Sequence, residues 1–116
     1  MQMGLALGAL TGCGATGAPA FGEEAASLVG LSLTQASRKM RAKEVTSVLL
    51  TKAYLDRIKI YNPKLNAFIT VMYGPAMEQA KAMDAEAAAG NYRGPLHGLP
   101  IVLKDNIDTK GTRTTA

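Results

Sequence analysis

The chain has one cysteine, one histidine and no tryptophan in 116 residues. Cys13 standing alone excludes an internal disulfide and a cysteine-built zinc site, and a lone His97 excludes a histidine-rich metal cluster. Aromatic residues make up only 5% and do not interleave with the basic residues, so no stacking platform for single-stranded nucleic acid is present. The longest apolar stretch, residues 1–21, is diluted by glycine and falls short of a membrane span. No glycine-rich phosphate loop of the Walker or dinucleotide-binding type occurs. Lysine and arginine are missing from residues 1–37, and the net charge of +4 comes from residues 38–64, where eight basic residues face Glu44 and Asp56. Residues 65–116 balance, five against five. That distribution describes the solvated face of a helical stretch rather than a nucleic-acid footprint. At 47% hydrophobic and 19% charged the chain is neither a disordered tail nor a repeat, and its length allows one small domain at most.

Seven of the 12 glycines lie within residues 1–30. Such a stretch loses too much backbone entropy to hold a helix and reads as a leader or linker. Leu10-Thr11-Gly12-Cys13 resembles the cleavage box of a bacterial lipoprotein signal, which makes Cys13 the candidate lipidation site and membrane anchor. No basic residue precedes the apolar run, so a plain flexible leader stays open beside it. The location follows the leader: periplasmic or membrane-anchored with a lipoprotein signal, cytoplasmic without one.

From Leu31 the patterning becomes regular. Residues 31–42 form an amphipathic helix with Leu33, Ala36 and Met40 on one face. Thr46 or Ser47 can cap a second helix bearing Leu50, Ala53, Tyr54, Arg57, Ile58 and Tyr61, which Asn62-Pro63 should stop. The two should pack as a hairpin. Ala67 to Met72 is apolar and β-branched and reads as a buried strand. Pro75 opens an alanine-rich helix with Ala76, Ala80, Met83 and Ala87 on one stripe, ended by Gly90-Asn91. A turn-rich approach, residues 94–100, then delivers Ile101-Val102-Leu103, a second expected buried strand, directly into Lys104. The expected class is α/β, in the order α-α-β-α-β.

Lys104 is the residue that carries chemistry. A lysine closing an apolar strand is partly desolvated, and loss of water disfavours its ammonium. Bringing a lysine from ~10.4 to ~7 takes about 4–5 kcal/mol of differential interaction and yields a general base. From spacing alone, however, a surface lysine paired with Asp105 or Asp108 explains the residue better. His97, Asp105 and Asp108 lack metal-ligand spacing, and a Cys13–His97 pair would join a leader to a distant loop.

The run Gly94-Pro-Leu-His-Gly-Leu-Pro-Ile-Val-Leu-Lys-Asp-Asn-Ile-Asp-Thr-Lys-Gly-Thr-Arg-Thr-Thr-Ala116 closely resembles the amino-terminal hallmark of the amidase signature family. Residues 44–58 and 62–71 resemble its first helical pair and first strand, so the resemblance covers about residues 31–116. It implies an N-terminal helical pair plus the first strands of a mixed-sheet core, incomplete in this chain. It also implies hydrolysis of a small-molecule carboxylic amide through a Ser–cis-Ser–Lys triad, with no metal or organic cofactor. Lys104 stands where the family's catalytic lysine stands. The family's two serines lie in a Gly-Ser-Ser-Gly context beyond the lysine; Ser27, Ser32, Ser37 and Ser47 all precede it in other contexts, and none inherits the role. These residues alone are therefore expected to be inactive, because nucleophile and oxyanion donors are missing. No nucleic-acid partner is expected, and the oligomeric state is not readable. Within the family the alternative is the glutamyl/aspartyl-tRNA amidotransferase, as its A-type chain; such chains commonly carry a cysteine where Asp108 stands and have no leader, which favours a stand-alone amidase. A non-catalytic helical interaction module is the alternative of another class.

Overall fold

The computed structural model describes residues 22–115, and Cys13 with most of the expected leader lies outside them. Four α-helices follow one another: α1 Glu23–Val29, α2 Leu33–Arg41, α3 Ser47–Leu65 and α4 Tyr73–Ala88. Helix α1 begins inside the stretch read as leader. Residues 23–29 hold no glycine, and Glu23 and Glu24 sit in the first turn, where the helix dipole favours negative charge. Leu28 then enters the core with Ala36, Met40, Val45, Leu50, Ala53 and Leu99. Among the described residues no helix is long and apolar enough to cross a membrane.

The helix ends follow local chemistry. Ser32 and Gln35 form a capping box, with Ser32 Oγ accepting from the Gln35 amide at 3.2 Å and Gln35 Oε1 accepting from the Ser32 amide at 2.8 Å. Thr46, one of the two residues expected to cap α3, does so by accepting from the Leu49 amide at 3.1 Å. Helix α4 ends in a Schellman motif: Asn91 donates to the Glu86 carbonyl at 2.8 Å, Gly90 donates to Ala87 at 3.0 Å, and Gly90 has φ +84°. Helix α2 ends the same way, with Glu44 donating to Lys39 at 2.9 Å and Lys43 to Met40 at 3.0 Å. There the left-handed residue is Lys43, at φ +61°. A side chain in that conformation is strained, and glycine is not. Lys43→Gly is therefore expected to stabilise the protein by about 0.5–1 kcal/mol. A higher urea midpoint with an unchanged slope is the supporting result; a lower midpoint would show that Lys43 carries no strain.

Three expectations are corrected. Helix α3 does not stop at Asn62 but continues through Pro63 to Leu65, where Asn66 takes the left-handed cap at φ +49°. Pro63 forfeits the bond its amide would give to the carbonyl of Lys59, an exposed residue whose acceptor water can reach. Asn62 holds the exit instead, exchanging bonds with the Phe68 backbone at 2.9 and 3.2 Å. Second, α3 takes α4 and α1 as its close helical neighbours, not α2 in a hairpin. The short α2 uses its buried face, Ala36 and Met40, on the core. Third, no strand occurs among the described residues. Residues 67–72 and 101–103 are irregular, with Ile69 74% and Val102 69% exposed. A strand satisfies its amides and carbonyls on a neighbour, and the described residues offer neither segment one. The α/β class and its mixed sheet are thus not formed by these residues, which fold as a small helical unit.

Candidate functional site

The segment that carries Lys104 is built in two parts. Its first part, residues 93–99, is tied to the helices from several sides. The Ser37 hydroxyl donates to the Pro95 carbonyl at 3.0 Å, and the Ser47 hydroxyl donates to the Gly98 carbonyl at 2.6 Å. His97 is buried, at 7% exposure. Its Nδ1 accepts from the Arg93 amide at 3.2 Å, so the ring proton sits on Nε2, which donates to the Met83 carbonyl of α4 at 2.8 Å. Tyr92 meets the imidazole edge-on, at 5.2 Å between centroids. Gly98 has φ +75°, and a Cβ there would stand 2.5 Å from Met40 Cε and 3.2 Å from Ser47 Cβ. Leu99 closes the tie by entering the core.

The helices are joined at the same place. Asp84 of α4 accepts from the Ser47 amide at 2.6 Å and the Val48 amide at 2.9 Å, so a carboxylate satisfies the open amides at the start of α3. Arg93 grips Glu86 through both carboxylate oxygens, one bond measuring 2.7 Å and the other tighter. That hydrogen bond, reinforced by the guanidinium charge, holds the Glu86 carboxyl below the usual carboxylate range and raises Arg93.

The second part, residues 100–115, is different in kind. Ile101, Val102, Leu103 and Lys104 are all exposed. Lys104 begins a turn, its carbonyl accepting from the Ile107 amide at 3.0 Å. Among the described residues its ammonium has no ion-pair partner, so the surface pairing with Asp105 or Asp108 that spacing favoured does not form. Both carboxylates are engaged elsewhere: Asp105 accepts from the Thr115 hydroxyl and Asp108 from the Thr114 hydroxyl. Thr109 and Thr112 also bond through their hydroxyls, so residues 105–115 close a loop on themselves. Lys104 projects from the base of that loop into solvent.

His97, Asp105 and Asp108 are not brought together as a ligand set, since both imidazole nitrogens are taken by backbone groups and each carboxylate by a threonine. An open groove of about 570 Å³ runs between α3, α4 and residues 93–101, lined by Ser47, Thr51, Ala80, Met83, His97 and Leu99. Lys104 does not line it. The basic residues of α2 and α3 lie largely in solvent, with Lys39 paired to Glu44 at 2.9 Å and Lys52 to Asp56 at 2.6 Å.

Sequence reasoning missed Asp84 and the structural part played by His97. A signal for Asp84 was present: it falls four residues after Ala80 and eight after Ala76, a charge on the buried stripe of α4.

The described residues thus make up a helical unit that holds one end of a lysine-bearing segment. Residues 49–116 match the family model described as Amidase, and the chain belongs to this amidase signature family. Among curated proteins it is similar to the A-type chain of glutamyl-tRNA(Gln) amidotransferase from several bacteria. The one from Azotobacter vinelandii is 51% identical over 85 residues, a match covering 73% of this chain and 17% of that protein. Its namesake from Carboxydothermus hydrogenoformans is 40% identical over 85 residues, covering 73% of this chain and 18% of that protein. The one from Heliobacterium modesticaldum is 45% identical over 73 residues, covering 63% and 15%. The chain therefore spans less than a fifth of the length of these relatives. No solved structure matches significantly.

Proposed function

We propose that this chain is the lysine-bearing, amino-terminal part of an enzyme that hydrolyses a carboxylic amide through a Ser–cis-Ser–Lys triad. The observation that carries the reading is Lys104 itself: a lysine inside the matched region, at the end of an apolar run, without an ionic partner among the described residues while both nearby carboxylates are bonded elsewhere. A lysine needed as a base has to be kept from the carboxylates that would hold its proton. In this reading the exposed run Ile101-Val102-Leu103 becomes a strand once the sheet of the complete enzyme supplies neighbours, and that packing strips water from Lys104. The neutral amine takes the proton of the nucleophilic serine through the bridging serine as the serine oxygen bonds to the amide carbon. It returns the proton to the nitrogen when the carbon–nitrogen bond breaks, and water then releases the acid from the acyl-enzyme. No metal or organic cofactor enters these steps. The amide is a small molecule. The leader, with Cys13 as its lipid attachment point, belongs to the same proposal.

A second reading is favoured by the relatives. Their name places them in an amidotransferase that acts on glutamyl-tRNA(Gln). Under it the nitrogen released beside Lys104 passes to glutamyl-tRNA(Gln), and the lack of a nucleic-acid footprint concerns only the surface of this segment. The aspartate at position 108, where such amidotransferase chains commonly carry cysteine, weighs for the stand-alone enzyme. The full-length product of the gene, assayed for ammonia release from glutamine and simple aliphatic and aromatic amides, with and without charged tRNA, separates them. Release from simple amides without tRNA supports the amidase. Conversion of glutamyl-tRNA(Gln) as the sole activity supports the amidotransferase, and neither activity would sink both.

A further inference from the structure

We infer that His97 is a positioning residue for Lys104, fixing the point from which the lysine-bearing segment leaves the helical body. The inference rests on the catalytic reading of Lys104. The ties between this segment and the helices fall at or before Leu99: His97 to Met83, Ser37 to Pro95, Ser47 to Gly98, and Leu99 in the core. From Ile101 to Lys104 the chain is exposed. The direction and register of that run are therefore inherited from residues 97–99. His97 is the residue that fixes them in two directions at once. Its Nδ1 holds the start of the turn through the Arg93 amide, and its Nε2 holds the turn to α4 through the Met83 carbonyl. No other histidine exists in the chain to take over either bond.

Both nitrogens are satisfied by backbone groups, which leaves His97 no capacity to transfer a proton to substrate; its effect has to pass through Lys104. An error of about 1 Å in placing a reacting group costs on the order of 100-fold in rate. A purely structural histidine would lower the melting temperature and leave the rate of each folded molecule alone. A positioning histidine lowers kcat in molecules that are fully folded.

The experiment uses the full-length enzyme with His97→Ala, His97→Gln, Ser47→Ala and Lys104→Ala. Assays are run on the amide that the wild type hydrolyses fastest, at a temperature where circular dichroism shows each variant folded. The expected result is a fall in kcat of about 10- to 100-fold for His97→Ala with KM changed less than about threefold. His97→Gln, whose amide can still donate to Met83, should recover part of the loss. Ser47→Ala, which releases the neighbouring Gly98 carbonyl, should lower kcat in the same sense, and it carries the test with His97→Gln if His97→Ala does not fold. Wild-type kcat in folded His97→Ala, or in Ser47→Ala and His97→Gln together if His97→Ala does not fold, beside an inactive Lys104→Ala would overturn this inference alone. An active Lys104→Ala would overturn it together with the catalytic reading.

Discussion

Lys104→Ala is expected to remove turnover from the full-length enzyme, by about 10³-fold or more, while leaving its fold in place. Two facts separate these effects. Among the described residues the side chain holds no ion pair, and where the complete enzyme strips its water a buried amine is a cost to the fold rather than a support, so its removal does not destabilise the folded state. In the reaction, by contrast, no other group of this segment stands ready to take the proton of a serine: Asp105 and Asp108 are bonded to threonines, and His97 is sealed between two backbone groups. Lys104→Arg sharpens the test. Arginine keeps the charge and most of the length but does not give up its proton in proteins, so it cannot serve as a base. Both variants should therefore be inactive, the alanine variant with a melting curve that overlays the wild type. Turnover restored by arginine would mean that the position needs a positive charge and not a base. Near-normal turnover in the alanine variant would remove the triad from the reading altogether.

What the sequence made legible was whatever depends on near neighbours. The cap at Thr46, the left-handed stop at Gly90 and the apolar face through Ala36, Met40, Leu50 and Ala53 are decided within a few residues of themselves, and each stands where patterning put it. The features that patterning misplaced depend on distant partners. Residues 67–72 and 101–103 have the composition of strands, but composition does not supply the opposing backbone that makes one. Pro63 signalled a stop that Asn62, bonded to Phe68, postpones by a turn. The contrast between His97 and Lys104 is of the same kind. Nothing in the spacing of residues 94–104 says that the histidine would be buried against Met83 and the lysine left in water, because both outcomes are set by where α4 lies. Asp84 shows the reverse case. A carboxylate on an alanine stripe contradicts its own helix face, and such a local conflict points to a partner outside the helix, here the amino terminus of α3.

Gly98→Ala is expected to destabilise the helical unit by about 2–5 kcal/mol. The value has two sources. At φ +75° a side chain costs about 1–2 kcal/mol relative to glycine. Overpacking adds about 1–3 kcal/mol, because the new methyl would stand 2.5 Å from Met40 Cε and 3.2 Å from Ser47 Cβ. Met40 can swing its terminal methyl aside, but it is buried among Ala36, Leu50 and Leu99, so it moves into occupied space. Ser47 cannot yield at all without loosening its bonds to Asp84 and to the Gly98 carbonyl. For a domain of this size each kcal/mol lowers the melting temperature by about 4–8 °C, so a fall of about 8–40 °C is the expected reading. A double-mutant cycle divides the cost. In a Met40→Ala background the tightest contact is gone, and Gly98→Ala should then cost less: the backbone strain of about 1–2 kcal/mol plus what the Ser47 contact adds. An equal cost in both backgrounds would assign the whole effect to the backbone and to Ser47. A melting temperature within about 1 °C of the wild type would show that the turn does not hold the close approach from which this packing is read.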